Sequence, residues 1–180
     1  MRIIAGAWRG RALQAPPGDA TRPTADRVRQ ALFDRLMHAP WAGRALLDGA
    51  RVLDAFAGTG ALGLEALSRG AAHVTFIERD RTALAALHTN IAACRAEARC
   101  TVLAVDALRP PPGTLCALMF LDPPYGQGLV PLAVDAMVAG GWAAEGTLVV
   151  AELGRGDPLP VKHPLDQGIR GRAQVVTWRI

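Results

Sequence analysis

Arg51-Val52-Leu53-Asp54-Ala55-Phe56-Ala57-Gly58-Thr59-Gly60-Ala61-Leu62-Gly63 carries an apolar strand into a glycine-rich turn and out into a helix. The strand is Arg51–Phe56. The turn contains G-x-G-x-x-G, and the helix, Ala61–Ser68, is stopped by Gly70. Glycines at such a junction let the backbone turn sharply and approach a ligand closely. Downstream the alternation continues. Ala72–Glu78 reads as a strand, Arg81–Ala96 as a helix rich in Ala and Leu, and Cys100–Val105 as a strand. Ala107–Gly113 is a loop broken by Pro110, Pro111 and Pro112. Leu115–Leu121 is a continuous apolar strand, Leu129–Val138 a helix ended by Gly140-Gly141, and Thr147–Leu153 a strand. Short apolar strands alternating with helices imply a parallel sheet covered on both faces. Gly168 and Gly171 predict a turn before an alternating strand, Ala173–Ile180, which closes the chain as a hairpin. The expected fold is α/β: a Rossmann-like sheet, mostly parallel, with a C-terminal antiparallel hairpin.

Residues 1–45 read differently. Arg2–Leu13 is a short extended segment and Ala15–Pro23 a Pro/Gly-rich loop. A helix follows, with Thr24 as its N-cap and Asp26 suiting the dipole of its first turn. Val28, Ala31, Leu32 and Leu36 form its apolar face, leaving Arg27, Arg29, Asp34 and Arg35 off it. The expected division is a basic extension, 1–45, and a main domain, 46–180.

The 180 residues are 51% hydrophobic and 20% charged. That suffices for one core, leaves no room for two full domains, and excludes a mainly disordered chain. The longest uncharged apolar runs have about seven residues, against the ~20 of a membrane span. The start, Met1-Arg2-Ile3-Ile4-Ala5-Gly6, soon turns basic and lacks the pattern of a signal peptide, so a soluble, cytoplasmic, monomeric protein is expected. Cys94, Cys100 and Cys116 are odd in number and form no C-x-x-C pair; the four histidines are scattered. Neither a disulfide framework nor a metal site is expected.

The net charge is +4, and nearly every cation is arginine, Lys162 being the exception. A GC-rich genome favours arginine codons, but arginine also suits bidentate contact with phosphate. Position says more than the total. Residues 1–45 hold eight arginines against three acids, net +5, so the other 135 residues sum to −1. A local basic patch is the expected footprint of a polyanion.

Two motifs carry chemistry. Glu78 ends the second strand, 18 residues after Gly60, where an acid accepts hydrogen bonds from ribose hydroxyls. With the glycine turn it points to a nucleoside-containing cofactor. Asp54, just before the glycines, suits a cationic sulfonium and would repel a pyrophosphate, which leans toward S-adenosylmethionine over a dinucleotide. The second motif, Asp122-Pro123-Pro124-Tyr125, follows the strand Leu115–Leu121. Ligand crevices in open parallel sheets lie at the carboxyl ends of strands, so both motifs fall on one rim. Asp122 and the Pro123 carbonyl can accept both hydrogens of an exocyclic amine, Pro123 and Pro124 stiffen the backbone, and Tyr125 offers a face for a nucleobase. The alternative is a rigid surface turn with Tyr125 packed on it.

Asp54–Gly60, Glu78, Asp106-Ala107 and Asp-Pro-Pro-Tyr resemble class I S-adenosylmethionine-dependent amino-methyltransferases. Met1–Gly6, Arg9-Gly10-Arg11, Arg22-Pro23-Thr24, Asp26-Arg27-Val28-Arg29 and Phe56–Arg69 are similar to the bacterial enzymes that methylate the 2-amino group of one guanine in 16S ribosomal RNA. Gln30 departs from them, where the family commonly has Glu. The resemblance covers about residues 1–153 and makes 46–180 a methyltransferase domain. It implies methyl transfer by direct displacement, without metal or covalent intermediate. Asp122, Pro123, Pro124 and Tyr125 would hold the target amine and base. Gly58, Thr59 and Gly60 would line the methionine moiety, Glu78 would hold the ribose and Asp106 would accept the adenine amino group, with Ala57, Arg79 and Ala107 as further cofactor-binding residues. Locally, Asp106 also reads, as the lesser alternative, as the cap of the next turn. Arg22 and Thr24 would close over the cofactor. Arg9, Arg11, Arg27 and Arg29 are candidates for phosphate contacts or simply solvated charges. The implied partner is 16S rRNA, in the small subunit or an assembly intermediate. Rival expectations are an adenine-N6 methyltransferase acting on DNA or RNA, an NAD-dependent oxidoreductase, and a non-catalytic rRNA-binding assembly factor.

Overall fold

The computed structural model describes residues 1–15, 23–42, 44–170 and 173–180, with only the backbone described for residues 23–25, 44 and 170. Among the described residues seven strands form one sheet: β1 (Arg51–Ala55), β2 (His73–Ile77), β3 (Cys100–Leu103), β4 (Leu118–Leu121), β5 (Leu148–Gly154), β6 (Asp166–Arg170) and β7 (Ala173–Arg179). Their order is β3-β2-β1-β4-β5-β7-β6. The first five run parallel, while β7 lies antiparallel between β5 and β6. The closing hairpin is therefore present. The order reverses at β1, with β2 on one side and β4 on the other, and a crevice opens at such a switch point.

Alternation along the strands places helices on both faces. Val52, Phe76, Leu118 and Phe120 face one core with α1 (Pro23–His38), α2 (Ala61–Ser68) and α3 (Arg81–Cys94). Leu53, Met119, Leu121 and Val149 face the other, with Ala133 and Met137 of α4 (Leu129–Ala139) and Trp142. Phe33 of α1 is fully buried, its ring centroid 5.7 Å from that of Phe120. Truncating such a ring to alanine costs roughly 3–5 kcal/mol, so α1 is held firmly to the sheet.

Several expectations change at the edges of elements. Arg2–Leu13 is not one extended run. It folds back on itself through an Arg2–Ala12 bridge, with the Ile3 amide donating to the Arg11 carbonyl at 2.9 Å. Ile3 and Leu13 reach the core beside α1. Glu65 of α2, fully buried, anchors this arm by accepting from the amides of Ile4 (2.8 Å) and Ala5 (3.0 Å). Gly6 adopts φ +81, and a Cβ there would lie 1.9 Å from the Ser68 carbonyl oxygen, so this crossing requires glycine. Helix α1 begins at Pro23, which puts Thr24 inside the first turn instead of at the N-cap; proline suits that opening position. Leu115 is 53% exposed and precedes β4, because β1 offers a ladder only from Val52 onward. Gly168 sits within β6, paired with Val175, and not in the turn. Gly171 lies outside the described residues.

Candidate active site

The carboxyl ends of β1 to β4 open on a cleft of ≈ 720 Å³, within the range of about 300–1,000 Å³ typical of small-molecule sites. Gly58, Thr59, Glu78, Asp106, Asp122 and Tyr125 all line it. The sheet thus brings together residues from four separate strand ends.

The glycines of the turn have separate duties. Gly58 has φ +54 and nothing within 4 Å of where a Cβ would stand, so it leaves the cleft open. At Gly60, with φ +79, a Cβ would meet Leu87 Cδ1 at 2.3 Å. At Gly63 a Cβ would meet the Phe76 ring at 2.3 Å, so glycine here sets how closely α2 lies on β2. Phe56 has φ 63, a left-handed conformation that costs a bulky residue of order 1–3 kcal/mol. The neighbours hold it there. The Ala57 amide donates to the Ile77 carbonyl at 3.0 Å, and Glu78 Oε2 accepts from the Gly58 amide at 2.8 Å.

Glu78 also accepts, through Oε1, from the amides of Arg79 (2.7 Å) and Asp80 (2.8 Å). It ties the end of β2 to the glycine turn and still faces the cleft. Asp106 does what its local reading suggested: Oδ1 accepts from the Leu108 amide at 3.0 Å. Its Oδ2 accepts from Arg79 Nη1 at 2.8 Å, an exposed pair at the rim that also includes Ala107. Asp54 is buried, and its Oδ2 accepts from the Gly63 amide at 2.8 Å. Burial, with the charges of Asp122 and Glu78, pushes its carboxyl up to about 8.

Asp122 is exposed, and its surface opens on the cleft. Desolvation and the nearby Glu152 carboxylate push it up to about 7. Pro123 is buried and Pro124 exposed. Tyr125 is 48% exposed, and its hydroxyl donates to Glu152 Oε1. Burial and Glu152 hold that phenol well above its usual range. Asp157 Oδ2 clamps the loop from behind, accepting from Gly126 (3.2 Å) and Gly154 (2.9 Å) amides.

The arginines separate. Arg9 and Arg27 are exposed. Arg11 is exposed, with Nη1 donating to the Ala93 carbonyl. Arg29 does not face solvent: it is 6% exposed, donates to Asp26 Oδ1 at 3.1 Å, and lies 3.8 Å from Glu65. The helix rotates it under the N-terminal arm, where it also donates to the Arg2 carbonyl, so it is corrected from phosphate contact to internal partner. Arg22 lies outside the described residues, and Thr24 is described only as backbone. Among the described residues no group of side chains forms a metal site, and all three cysteines are free.

Four residues that matter escaped the sequence reading: Glu65, Asn90, Glu152 and Asp157. Asn90, in α3, is buried; its Nδ2 donates to the Thr59 carbonyl at 2.9 Å and its Oδ1 accepts from the Gln14 amide at 2.6 Å. An asparagine in the middle of an Ala/Leu helix was a usable signal, since its propensity there is poor. Glu65, the one charge in an apolar helix, was another. Glu152 and Asp157 had none.

The profile of the family described as Conserved hypothetical protein 95 matches residues 1–171. Ribosomal RNA small subunit methyltransferase D of Escherichia coli (strain K12) is 41% identical over 153 residues, covering 84% of this chain and 74% of the relative. The protein of the same name from Haemophilus influenzae is 35% identical over 164 residues, covering 88% and 81%. The solved structure of the E. coli candidate methyltransferase yhhF superposes with a TM-score of 0.82 at 36% identity, covering 99% and 97%. Similar to these relatives over most of its length, this chain belongs to the ribosomal RNA small subunit methyltransferase D family.

Proposed function

We propose that this chain transfers a methyl group from S-adenosylmethionine to the exocyclic 2-amino group of a guanine in 16S rRNA. The observation that carries this is the placement of Asp122-Pro123-Pro124-Tyr125 on the same cleft as Gly58, Glu78 and Asp106. Family membership selects RNA as the substrate class.

The cleft fits the cofactor. Asp54, buried, and Asp122, open to the cleft, are two carboxyls displaced upward, with no arginine or lysine paired to them among the described residues, and a bound cation would favour their ionised forms. Such a pair favours a cation and disfavours a phosphate. Bound there, S-adenosylmethionine supplies an electrophilic methyl group on a sulfonium. Gly58, Thr59 and Gly60 hold the methionine part, Glu78 the ribose and Asp106 the adenine amine.

An aromatic amine is a poor nucleophile, because its lone pair is delocalised. The Asp122 carboxylate and the Pro123 carbonyl accept its two hydrogens and orient the nitrogen. Asp122 stabilises the positive charge that develops there and takes the proton late. Tyr125 stacks on the base. Positioning of this kind can supply up to ~7–11 kcal/mol of barrier reduction. Arg9, Arg11 and Arg27 meet backbone phosphates of the small subunit or an assembly intermediate.

The test is transfer of labelled methyl to unmodified small ribosomal subunits, followed by nuclease digestion. N2-methylguanosine is expected, reduced about 100-fold or more in Asp122→Ala. Label in N6-methyladenosine, or undiminished label in the variant, would overturn the proposal.

A further inference from the structure

Glu152 stands at a point that the mechanism above leaves unused. It lies near the carboxyl end of β5, one residue beyond the Leu121–Ala151 register pair, and therefore beside Asp122 at the end of β4. It is half-buried. One oxygen, Oε1, accepts from the Tyr125 hydroxyl. No hydrogen bond or ion pair engages Oε2 among the described residues, and no arginine or lysine neutralises the group. Two carboxylates side by side without a cation are unfavourable in the folded state. Such an arrangement suits a ligand that arrives with donors.

Guanine is such a ligand. Its Watson–Crick edge carries the 2-amino group next to N1–H, a continuous row of donors. Adenine presents an acceptor, N1, beside its amino group. Asp122 and the Pro123 carbonyl can satisfy an amine of either base, so they do not tell guanine from adenine. A second carboxylate beside Asp122, at the rim of the Tyr125 ring, does: it accepts from a guanine N1–H and repels an adenine N1.

We propose that Glu152 is the specificity-determining residue of the site, its free carboxylate oxygen accepting the N1–H of the guanine whose amine is held by Asp122 and Pro123. This rests on the guanine reading above. It also assigns Tyr125 a second duty, since its hydroxyl, which reaches from the cleft lining to Glu152, engages Oε1 and leaves Oε2 without a partner among the described residues.

The test compares guanine with 2-aminopurine, which keeps the 2-amino group but has an acceptor at N1. Small subunits are reconstituted with 16S RNA carrying either base at the position labelled in the experiment above. Wild type is expected to prefer guanine by about 10- to 100-fold, the scale of one lost base-edge contact. Glu152→Gln keeps an acceptor for Tyr125 and gains an N–H that can meet an N1 acceptor. Its preference is expected to collapse to within about threefold. Both enzymes meet the same analogue, so the missing O6 cancels in the comparison. Tyr125→Phe, which leaves Glu152 in place, is expected to retain a preference above tenfold even if slower. An unchanged preference in Glu152→Gln, or a collapse only in Tyr125→Phe, would overturn the role of Glu152 and leave the methyl-transfer reading standing. Absence of label from wild type on guanine subunits would overturn both.

Discussion

Asp54 and Asp122 are carboxyls displaced upward by their surroundings, and each displacement has a measurable sign. Asp122 sits at about 7, and the species that accepts an N–H is the carboxylate. The kcat/KM for methyl transfer, which reports the free enzyme, is therefore expected to fall about tenfold per pH unit below ~7 and level off above it. In Asp122→Asn the residual rate should lose this acid limb. Asp54 sits at about 8, against 3.8 for the free side chain. The folded chain thus holds a proton that the unfolded chain releases. That contribution to stability is complete below ~4 and lost as pH rises through ~8. Asp54→Asn, which keeps an acceptor for the Gly63 amide, should melt higher than wild type at pH 9, with the difference vanishing near pH 4. Thermal melts across that range check it. At pH 9, where Asp54 is ionised, the same variant should also bind S-adenosylmethionine more weakly, because the carboxylate proposed to offset the sulfonium is gone.

At the level of elements, the glycine turn separates packing from binding. Gly63→Ala would drive a methyl into the Phe76 ring and Val74, prising α2 from β2. A loss of about 1–3 kcal/mol in stability is expected, read from denaturant unfolding. Gly58→Ala meets no atom but must hold φ +54, a strain of about 1–2 kcal/mol. Its methyl stands in the open cleft, so cofactor affinity should fall by more than stability. Affinity lost in the first variant and kept in the second would contradict this division. The order of helices and strands was legible because apolar periodicity and glycine punctuation are local signals. Most strand ends were read too long, because a strand lasts only while a neighbour supplies a ladder; β5 instead runs one residue further, to Gly154. The Leu115–Ala117 lead-in to β4 has the right composition, but β4 pairs with β1 only from Leu118.

Across the whole molecule the N-terminal arm and the cleft are one structure. Glu65 and Ser68 hold the arm to α2, and Asn90 joins Gln14 of the arm to Thr59 of the glycine turn. Asn90→Ala would leave the Thr59 carbonyl and the Gln14 amide without their buried partner, costing about 1–3 kcal/mol. Its effect should reach the cofactor as weaker binding, measured by titration calorimetry, although residue 90 does not line the cleft. The basic quarter of the chain is likewise less uniform than its charge count. Arg29 is internal, and Arg35 pairs with Asp166 of β6. Arg9, Arg11 and Arg27 remain as exposed cations for a polyanion.

Local chemistry carried much of the message. Period-2 and period-3.6 apolar spacing, the glycine turn and Asp-Pro-Pro-Tyr identified an α/β sheet with its functional loops at the carboxyl ends of strands, because each depends on neighbours along the chain. Strand order, the burial of Arg29 and the company of Glu152 depend on residues distant in sequence. Glu152 and Asp122 are 30 residues apart and meet only because β4 and β5 pair in parallel. Nothing in either segment alone encodes that encounter. It arises from the sheet closing around a shared apolar core, and that closure places the second carboxylate beside the first.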